Sequence, residues 1–144
     1  MPMSQMIRDM TEIARCGAQY KADRLAPLGL KGCHASYLTE ICANPGISQD
    51  QLAKRICINK SNVARQAASL EEEGFLTRIP SPTDKRIMEL HPTQKTLDLL
   101  PQISSVLKGW EACITGDLTA EELDQLAALV AKMKIRAGEY MDGR

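Results

Sequence analysis

Apolar residues recur every three or four positions along most of the chain, which is the spacing of amphipathic helices. The first predicted helix spans residues 4–25 and places on one face Met6, Met10, Ile13, Gly17 and Tyr20. Pro27 and Gly29 end it. A second helix is predicted from about Gly32 to Cys42, before a strong turn at residues 44–46.

Two short helices joined by a turn are predicted next. Ser48 and Gln51 have the spacing of a capping box, so the first helix begins there. Residues 57–58 form the turn, and Asn59 is a good N-cap for the second helix. That helix, 59–73, carries a buried stripe of Val63, Ala67 and Leu70, and Gly74 is expected to end it. The pair is a helix-turn-helix unit.

A β-hairpin follows the second of these helices. The two strands are predicted at Phe75 to Ile79 and at Ile87 to His91, separated by a polar loop that can continue neither strand. A helix-turn-helix followed directly by such a hairpin is a winged helix.

The remainder of the chain, from Thr93 onward, is helical again. Pro101 predicts a kink, residues 116–117 break the helix, and a capping box of Thr119 and Glu122 opens a last helix with a heptad-like stripe. The predicted fold is therefore mostly α with a small β-hairpin wing (α+β). A single domain, 1–144, contains a winged helix-turn-helix core at 32–91 and dimerisation helices at 1–28 and 93–144. The small core cannot cover the apolar stripes of these terminal helices, so we expect a homodimer.

Composition narrows the class of protein. A chain of 144 residues fits one domain, and its 18 basic and 18 acidic residues argue against a general coat for nucleic acid. Only five residues are aromatic, which weakens any assignment to single-strand or RNA recognition. No stretch approaches the roughly 20 apolar residues of a membrane span, and no secretory signal is visible, so we expect a cytoplasmic protein.

The charges are unevenly placed along this neutral chain. No acidic residue occurs between Asp50 and Glu71, a window of twenty residues with a charge of +4 from Lys54, Arg55, Lys60 and Arg65. The exposed positions of helix 59–73 carry Lys, Ser, Asn, Arg and Gln, which bind phosphates and base edges in a major groove. A solvated helix face usually alternates the sign of its charges, so the window favours contact with DNA.

The tip of the wing carries Asp84, Lys85 and Arg86. These residues fit an ordinary charged turn. They equally fit a turn in which Asp84 orients Arg86, so that the guanidinium enters a narrow A·T-rich minor groove. The spacing alone leaves both interpretations open.

The stretch from about Leu30 to Leu97 resembles the MarR family of bacterial winged-helix transcription regulators. The resemblance rests on the segments at 45–49, 52–53, 59–65, 70–78 and 84–86, and above all on the Asp-x-Arg wing motif after a Leu-Glu-x-x-Gly segment. The flanking helices also fit in length. The chain differs from the usual family pattern at Ala64, at Ser69 and at the Pro92-Thr93 turn.

The resemblance implies an obligate homodimer that binds a pseudo-palindromic operator in double-stranded DNA, and most often a repressor. Helix 59–73 would lie in the major groove and Arg86 would reach the minor groove. The implied contact residues are Ser48, Gln49, Lys60, Ser61, Asn62, Arg65, Gln66, Asp84, Lys85 and Arg86.

Regulators of this family are often released from DNA by a small molecule, commonly an anionic aromatic, or by oxidation of a cysteine. A cleft where the first two helices meet the long helix would be lined by Arg15, Tyr20, His34, Tyr37 and Trp110. The alternative, which we favour, is that Tyr37 and Trp110 belong to core or dimer packing and that Arg15 is a surface charge. Cys16 lies beside Arg15 and is the candidate redox residue. For Cys16, as for Cys33, Cys42, Cys57 and Cys113, structural burial is the expectation we favour.

Other classes of function lack the residues they need. Only His34 and His91 are available as histidine ligands, without zinc-type spacing, so no metal site and no cofactor are expected. No glycine-rich phosphate loop or nucleophile motif occurs, so the chain is not expected to be an enzyme. A winged helix that only binds other proteins is a further alternative, although such modules lose groove-facing cations like Lys60 and Arg65.

Overall fold

A computed structural model describes residues 3–143. Within this range the chain forms six α-helices: α1 Met3–Leu25, α2 His34–Ala43, α3 Gln49–Ile56, α4 Lys60–Glu72, α5 Gln94–Thr115 and α6 Ala120–Asp142. One turn of 3₁₀ helix, Ala26–Leu28, follows α1. The strands β1 Ile47–Ser48, β2 Leu76–Pro80 and β3 Met88–Pro92 form an antiparallel sheet in the order β1-β3-β2. The predicted fold, mostly helical with a small β wing, is confirmed.

The wing is a three-stranded sheet rather than a bare hairpin. Strands β2 and β3 each lie one residue further along the chain than predicted, and Leu76 pairs with Pro92. The third strand, β1, was not predicted, and its Ile47 pairs with Leu90 of β3. A strand of two residues shows no alternation of apolar and polar positions, so the sequence pattern contains no signal for it.

The predicted helix starts are confirmed by their hydrogen bonds. The Ser48 hydroxyl accepts from the backbone N–H of Gln51, and the Gln51 side chain accepts from the Ser48 N–H. Thr119 forms the same capping box with Glu122 at the start of α6. These bonds satisfy backbone donors that a helix N-terminus otherwise leaves without partners.

The turn between α3 and α4 depends on an unusual backbone conformation. Cys57 ends α3 with φ 57° and ψ 43°, the left-handed region that glycine usually occupies. A side chain in this region costs about 1 kcal/mol or more. The surrounding helix-turn-helix packing therefore has to stabilise it. Gly74 follows the end of α4 with φ +84°, as predicted for the residue that stops this helix. Because glycine has no Cβ atom, the left-handed conformation carries no such cost there.

The buried core lies mostly within the winged helix, with contributions from Leu25 of α1 and Ile103 of α5. Val63, Ala67 and Leu70 of α4 are fully buried, as predicted. They belong to one core cluster, whose other large members are Leu25, Leu30, Tyr37, Leu38, Ile41, Ile47, Leu52, Phe75, Leu76, Leu90 and Ile103. Cys42 of α2 and Ile56 of α3 are only partly buried.

The terminal helices are covered much less. None of the 23 residues of α6 is buried, and its large apolar side chains are widely exposed, Leu129 by 57% and Ile135 by 62%. On α1, Ile7, Met10 and Ile13 are exposed as well. The end of α1 packs on α5, where Gly17 is buried so tightly that a Cβ atom would lie 2.8 Å from Trp110 Nε1.

Helix α5 continues through Pro101. In residues 3–143 no helix has an apolar stretch long enough to cross a bilayer.

Candidate nucleic-acid interface

Helix α4 presents a polar outer face opposite its buried stripe. Its N-cap, Asn59, accepts hydrogen bonds from the Asn62 backbone N–H at 2.8 Å and from the Ser61 hydroxyl at 2.9 Å. Beyond this cap the side chains of Lys60, Ser61 and Arg65 are exposed. Since no acidic residue lies in the first turn, the positive end of the helix dipole is left uncompensated there.

The two cations of α4 make only weak contacts inside the protein. Lys60 Nζ lies 3.5 Å from Asp50 Oδ2, but both side chains are about 70% exposed, so the pair contributes little to stability. Arg65 Nη2 donates to Asn62 Oδ1 at 3.3 Å. Both cationic groups therefore remain available to an anionic partner.

An ion pair between Arg78 and Glu71 fixes α4 to the wing. The Glu71 carboxylate accepts from the Arg78 backbone N–H at 2.9 Å and from its Nε at 3.1 Å. The backbone N–H bond is the main cause that lowers the pKa of Glu71, and the guanidinium adds to it. Arg78 Nη1 also donates to Gln49 Oε1 at 3.4 Å, so one guanidinium joins β2, α4 and α3.

This role of Arg78 has no signal in the sequence. Glu71 and Arg78 are seven residues apart, across the end of a helix and the start of a strand. This separation corresponds to no helical or strand period, so no pattern indicates that the side chains meet. Only the opposite charges of Glu71 and Arg78 are visible in the sequence. The predicted contact residue Gln49 thus has its carbonyl oxygen engaged by Arg78.

A second long-range contact joins α2 to α4. His34, the first residue of α2, is 2% exposed, and its Nε2 lies 2.9 Å from Gln66 Oε1. Gln66 was predicted to contact DNA, and it is half-buried at the edge of the outer face of α4. The two residues are 32 positions apart, so the sequence pattern could not link them.

The tip of the wing has the geometry of an oriented arginine. The Asp84 carboxylate accepts from the Arg86 backbone N–H and Nε through Oδ1 and from Nη2 through Oδ2, at 3.0 to 3.1 Å. These bonds from Arg86 lower the pKa of Asp84. The Arg86 side chain is nevertheless 90% exposed, and Lys85 beside it is also exposed. Asp84 therefore orients Arg86 in this turn, as one of the two interpretations requires, and entry of the guanidinium into a minor groove stays a prediction.

The predicted ligand cleft divides into two groups in this structure. Tyr20 of α1 and Trp110 of α5 pack at 5.3 Å between ring centroids, with the Arg24 guanidinium 3.6 Å above the Tyr20 ring. His34 and Tyr37 instead belong to the buried interior of the winged helix, with ring centroids 6.5 Å apart. Arg15 is exposed on α1.

Tyr37 is the more unusual member of the buried pair. Its ring is 1% exposed, and its hydroxyl is buried without a hydrogen-bond partner among residues 3–143. Burial is the main cause that raises its pKa. Core packing therefore accounts for the position of Tyr37, whereas an effector role stays a prediction.

The expectation that the cysteines are buried is wrong for most of them. Cys16, Cys33, Cys57 and Cys113 are exposed in the single chain, and Cys42 is half-buried. Cys16 and Cys113 lie on the outer surfaces of α1 and α5, which the winged-helix core does not cover. A small apolar residue at such a position looks like a core residue in sequence, because periodicity does not say whether the same chain covers the stripe. All five are free thiols.

Concave surfaces also occur away from the predicted cleft. A cleft of about 440 Å³ lies between the turn after α3 and the end of α6, lined by Lys54, Cys57, Lys60, Met141 and Asp142 among others. Among residues 3–143, no group of three or more His, Cys, Asp or Glu side chains is arranged to hold a metal ion.

Comparison with known proteins agrees with this geometry. A model of the MarR family matches residues 34–88, from the start of α2 to the start of β3. Over 132 residues the chain is 28% identical to a helix-turn-helix transcriptional regulator of Bacillus subtilis, YybA, covering 92% of this chain and 88% of that protein.

Solved structures give the same result over almost the whole chain. The transcriptional regulator SlyA superposes with a TM-score of 0.91 at 27% identity, covering 95% of this chain and 96% of SlyA. A MarR-family regulator from Listeria monocytogenes, solved with a 26-mer DNA, superposes with a TM-score of 0.89 at 26% identity, covering 94% and 90%.

Proposed function

We propose that the chain is a winged helix-turn-helix transcription regulator of the MarR family, as its matches to the family model, to YybA and to SlyA support, and that it acts in the cytoplasm as a homodimer on a pseudo-palindromic operator. As a DNA-binding transcription regulator it is not an enzyme.

The outer face of α4 carries the proposal for DNA contact. Among residues 3–143, the exposed Lys60 and Arg65 have no strong ion pair, and they lie in a window of the chain without acidic residues. Such a helix can enter a major groove, where these side chains meet phosphates and base edges. The contact residues proposed are Ser48, Gln49, Lys60, Ser61, Asn62, Arg65 and Gln66.

The wing would make the second contact. Asp84 holds the guanidinium of Arg86 in one orientation while the side chain stays exposed. An arginine that is ordered before binding loses less conformational entropy when it enters a minor groove. Lys85 would contact the adjacent backbone.

The exposed stripe of α6 supports the homodimer. Leu126, Leu129, Val130 and Met133 are exposed on a helix that has no buried residue, and α1 adds Ile7, Met10 and Ile13. A monomer rarely leaves so much contiguous apolar surface in water. A second copy offers the same surface, so a two-fold pair of terminal helices would cover both.

Repression that a small molecule relieves is the regulatory mode we propose. Tyr20 and Trp110 lie where α1 packs on α5, and a flat anionic ligand would stack on them, with Arg15, exposed on the same helix as Tyr20, as the candidate cation. Sensing by cysteine oxidation is the second candidate, because Cys16 is exposed on α1. Both signals would act by changing the distance between the two winged helices.

Selection of bound DNA from a random pool tests this function. We expect a two-fold symmetric motif with half-sites about 10 base pairs apart, one helical turn. The selection is then repeated with phenolic acids and with peroxide, and release by one of them identifies the class of signal. Recovery of no motif, or of a single unpaired half-site, would contradict the proposal.

A further inference from the structure

The two ring nitrogens of His34 have different hydrogen-bond roles. Nδ1 accepts from the backbone N–H of Lys31 at 3.1 Å. Since a backbone N–H only donates, Nδ1 carries no proton, and in the neutral ring the proton is on Nε2. Burial lowers the pKa of His34 and so favours this neutral form, although its bond to Gln66 acts in the opposite direction.

This protonation state determines which way the Gln66 amide is turned. The Nε2–H of His34 needs an acceptor, and the only acceptor on the amide is its oxygen. Gln66 Oε1 therefore faces His34, at 2.9 Å. This orientation follows from the proton on His34 Nε2, although the oxygen and the nitrogen of an amide are similar in size and shape.

The nitrogen of the same amide points away from this bond. Within residues 3–143 the Gln66 amide nitrogen has no hydrogen-bond partner, and it is not among the buried polar atoms that lack one. Gln66 lies directly after the exposed Arg65 on α4. A partner that approaches the outer face of α4 thus meets an N–H₂ group at this position and no carbonyl oxygen.

We propose that His34 is a positioning residue which makes Gln66 a hydrogen-bond donor to DNA, so that Gln66 favours guanine over adenine in the operator. The inference rests on the proposed function, because it needs α4 in the major groove. A glutamine pairs with adenine by accepting from N6 and donating to N7, and that needs both ends of the amide. Guanine presents two acceptors, N7 and O6, which suit the N–H₂ group alone.

The experiment compares the full chain with three variants. The selection from a random pool is run for each protein, and affinities are then measured for operator pairs that differ by guanine or adenine at one position of each half-site. We expect the wild type to favour guanine about fivefold at that position, the effect of one net hydrogen bond. Gln66→Met, which has no donor, should lose this preference.

The His34 variants form a matched pair. His34→Leu removes the donor to Oε1 and should reduce the preference for guanine to less than about twofold, because the amide can then turn its oxygen outward. His34→Gln has nearly the same volume as the leucine variant but keeps an N–H donor, so it should retain most of the preference. A purely structural role for His34 would instead lower the affinity for every DNA sequence by the same factor.

Circular dichroism melts and light scattering check that the variants fold. Because His34 is buried, its leucine variant could unfold, whereas Gln66→Met breaks the same bond from a half-buried surface position. The inference is overturned if Gln66→Met leaves every base preference unchanged, or if it weakens all sequences equally, which would indicate a phosphate contact. If the wild type selects no motif, the proposed function fails and this inference fails with it.

Discussion

Helices α4 and α6 are both amphipathic, yet they differ in what covers their apolar side. Val63, Ala67 and Leu70 of α4 are fully buried by the winged helix of the same chain. Helix α6 is ten residues longer, and none of its residues is buried. An apolar stripe thus shows that a helix must pack, but it does not show on which chain its partner lies.

The largest effect on the free energy of unfolding is expected in α4, whose apolar stripe is buried by the same chain. Leu70→Ala in α4 should lower the free energy of unfolding by about 2–5 kcal/mol, because it leaves a cavity in a fully packed core. Leu129→Ala in α6, 57% exposed in the single chain, should change it by less than about 0.5 kcal/mol when both substitutions are made in a monomeric background, the double variant Leu126→Glu with Val130→Glu. Urea titration monitored by circular dichroism measures both. Equal losses in monomers would contradict the contrast between the two helices.

The next test makes the stripe of α6 unable to pair. The double variant Leu126→Glu and Val130→Glu should be a folded monomer, because four carboxylates would otherwise be buried at a two-fold interface. Light scattering should give 15.9 kDa rather than twice that mass. Operator affinity should fall about 100-fold or more, since one winged helix then binds alone. The control is Gln125→Glu with Ala128→Glu, which adds the same two carboxylates to α6 on the side away from Leu126 and Val130. A double variant that stays dimeric would refute this interface.

The interface with DNA should show a smaller effect per residue. Arg65→Ala and Arg86→Ala should each weaken operator binding by about 1–3 kcal/mol while the dimer stays intact. Asp84→Asn should weaken it less, since Arg86 keeps its charge and loses only part of its orientation. Gel-shift titration measures all three. Unchanged affinity in both arginine variants would exclude the proposed docking.

The smallest effect concerns the contact between α2 and α4. Burial lowers the pKa of His34 in the folded chain below the ordinary value of about 6.5. As the pH falls below about 6.5, the unfolded chain therefore binds a proton that the folded chain does not, and stability decreases. Gln66 binds the His34 ring directly, and the charged groups that act on the ring are Lys31 and Glu73. His34→Gln should remove this decrease.

Glu71 provides the control for that titration, because it acts in a different range of pH. Its pKa is lowered in the folded chain by the bond from the Arg78 N–H and by the guanidinium. Its contribution to stability is therefore present above a pH of about 4.5 and is lost as the pH falls further. Thermal melts between pH 7 and pH 3 should show both steps in the wild type and only the lower one in His34→Gln. A single step in both proteins would contradict the assignment to His34.

Local features of the site were predictable because they depend on neighbouring residues. Ser48 and Asn59 cap the two helices as expected, since a cap needs only a side chain and a backbone N–H three residues away. The pairing of Asp84 with Arg86 was one of two open interpretations, and the structure supports it. Each of these contacts joins residues two or three positions apart, so the sequence alone places the two partners close together.

The contacts that position the site were not predictable in this way. Arg78 joins Glu71 to Gln49, which lies 29 residues before Arg78 in the chain. His34 binds Gln66, which lies 32 residues after it. Strand β1 was missed for the same reason, because its partner Leu90 is far along the chain. The exposure of Cys16 and Cys57 also contradicted the expectation from sequence.

The sequence by itself determined the elements, their order, the helix-turn-helix with its wing, and the resemblance to the MarR family, because periodicity, caps and short motifs are local properties of a chain. Only the tertiary structure decided which apolar stripes the chain covers itself, and which polar side chains hold Gln49 and Gln66. Burial and hydrogen bonding depend on distances between remote residues, and these distances exist only once the chain has packed.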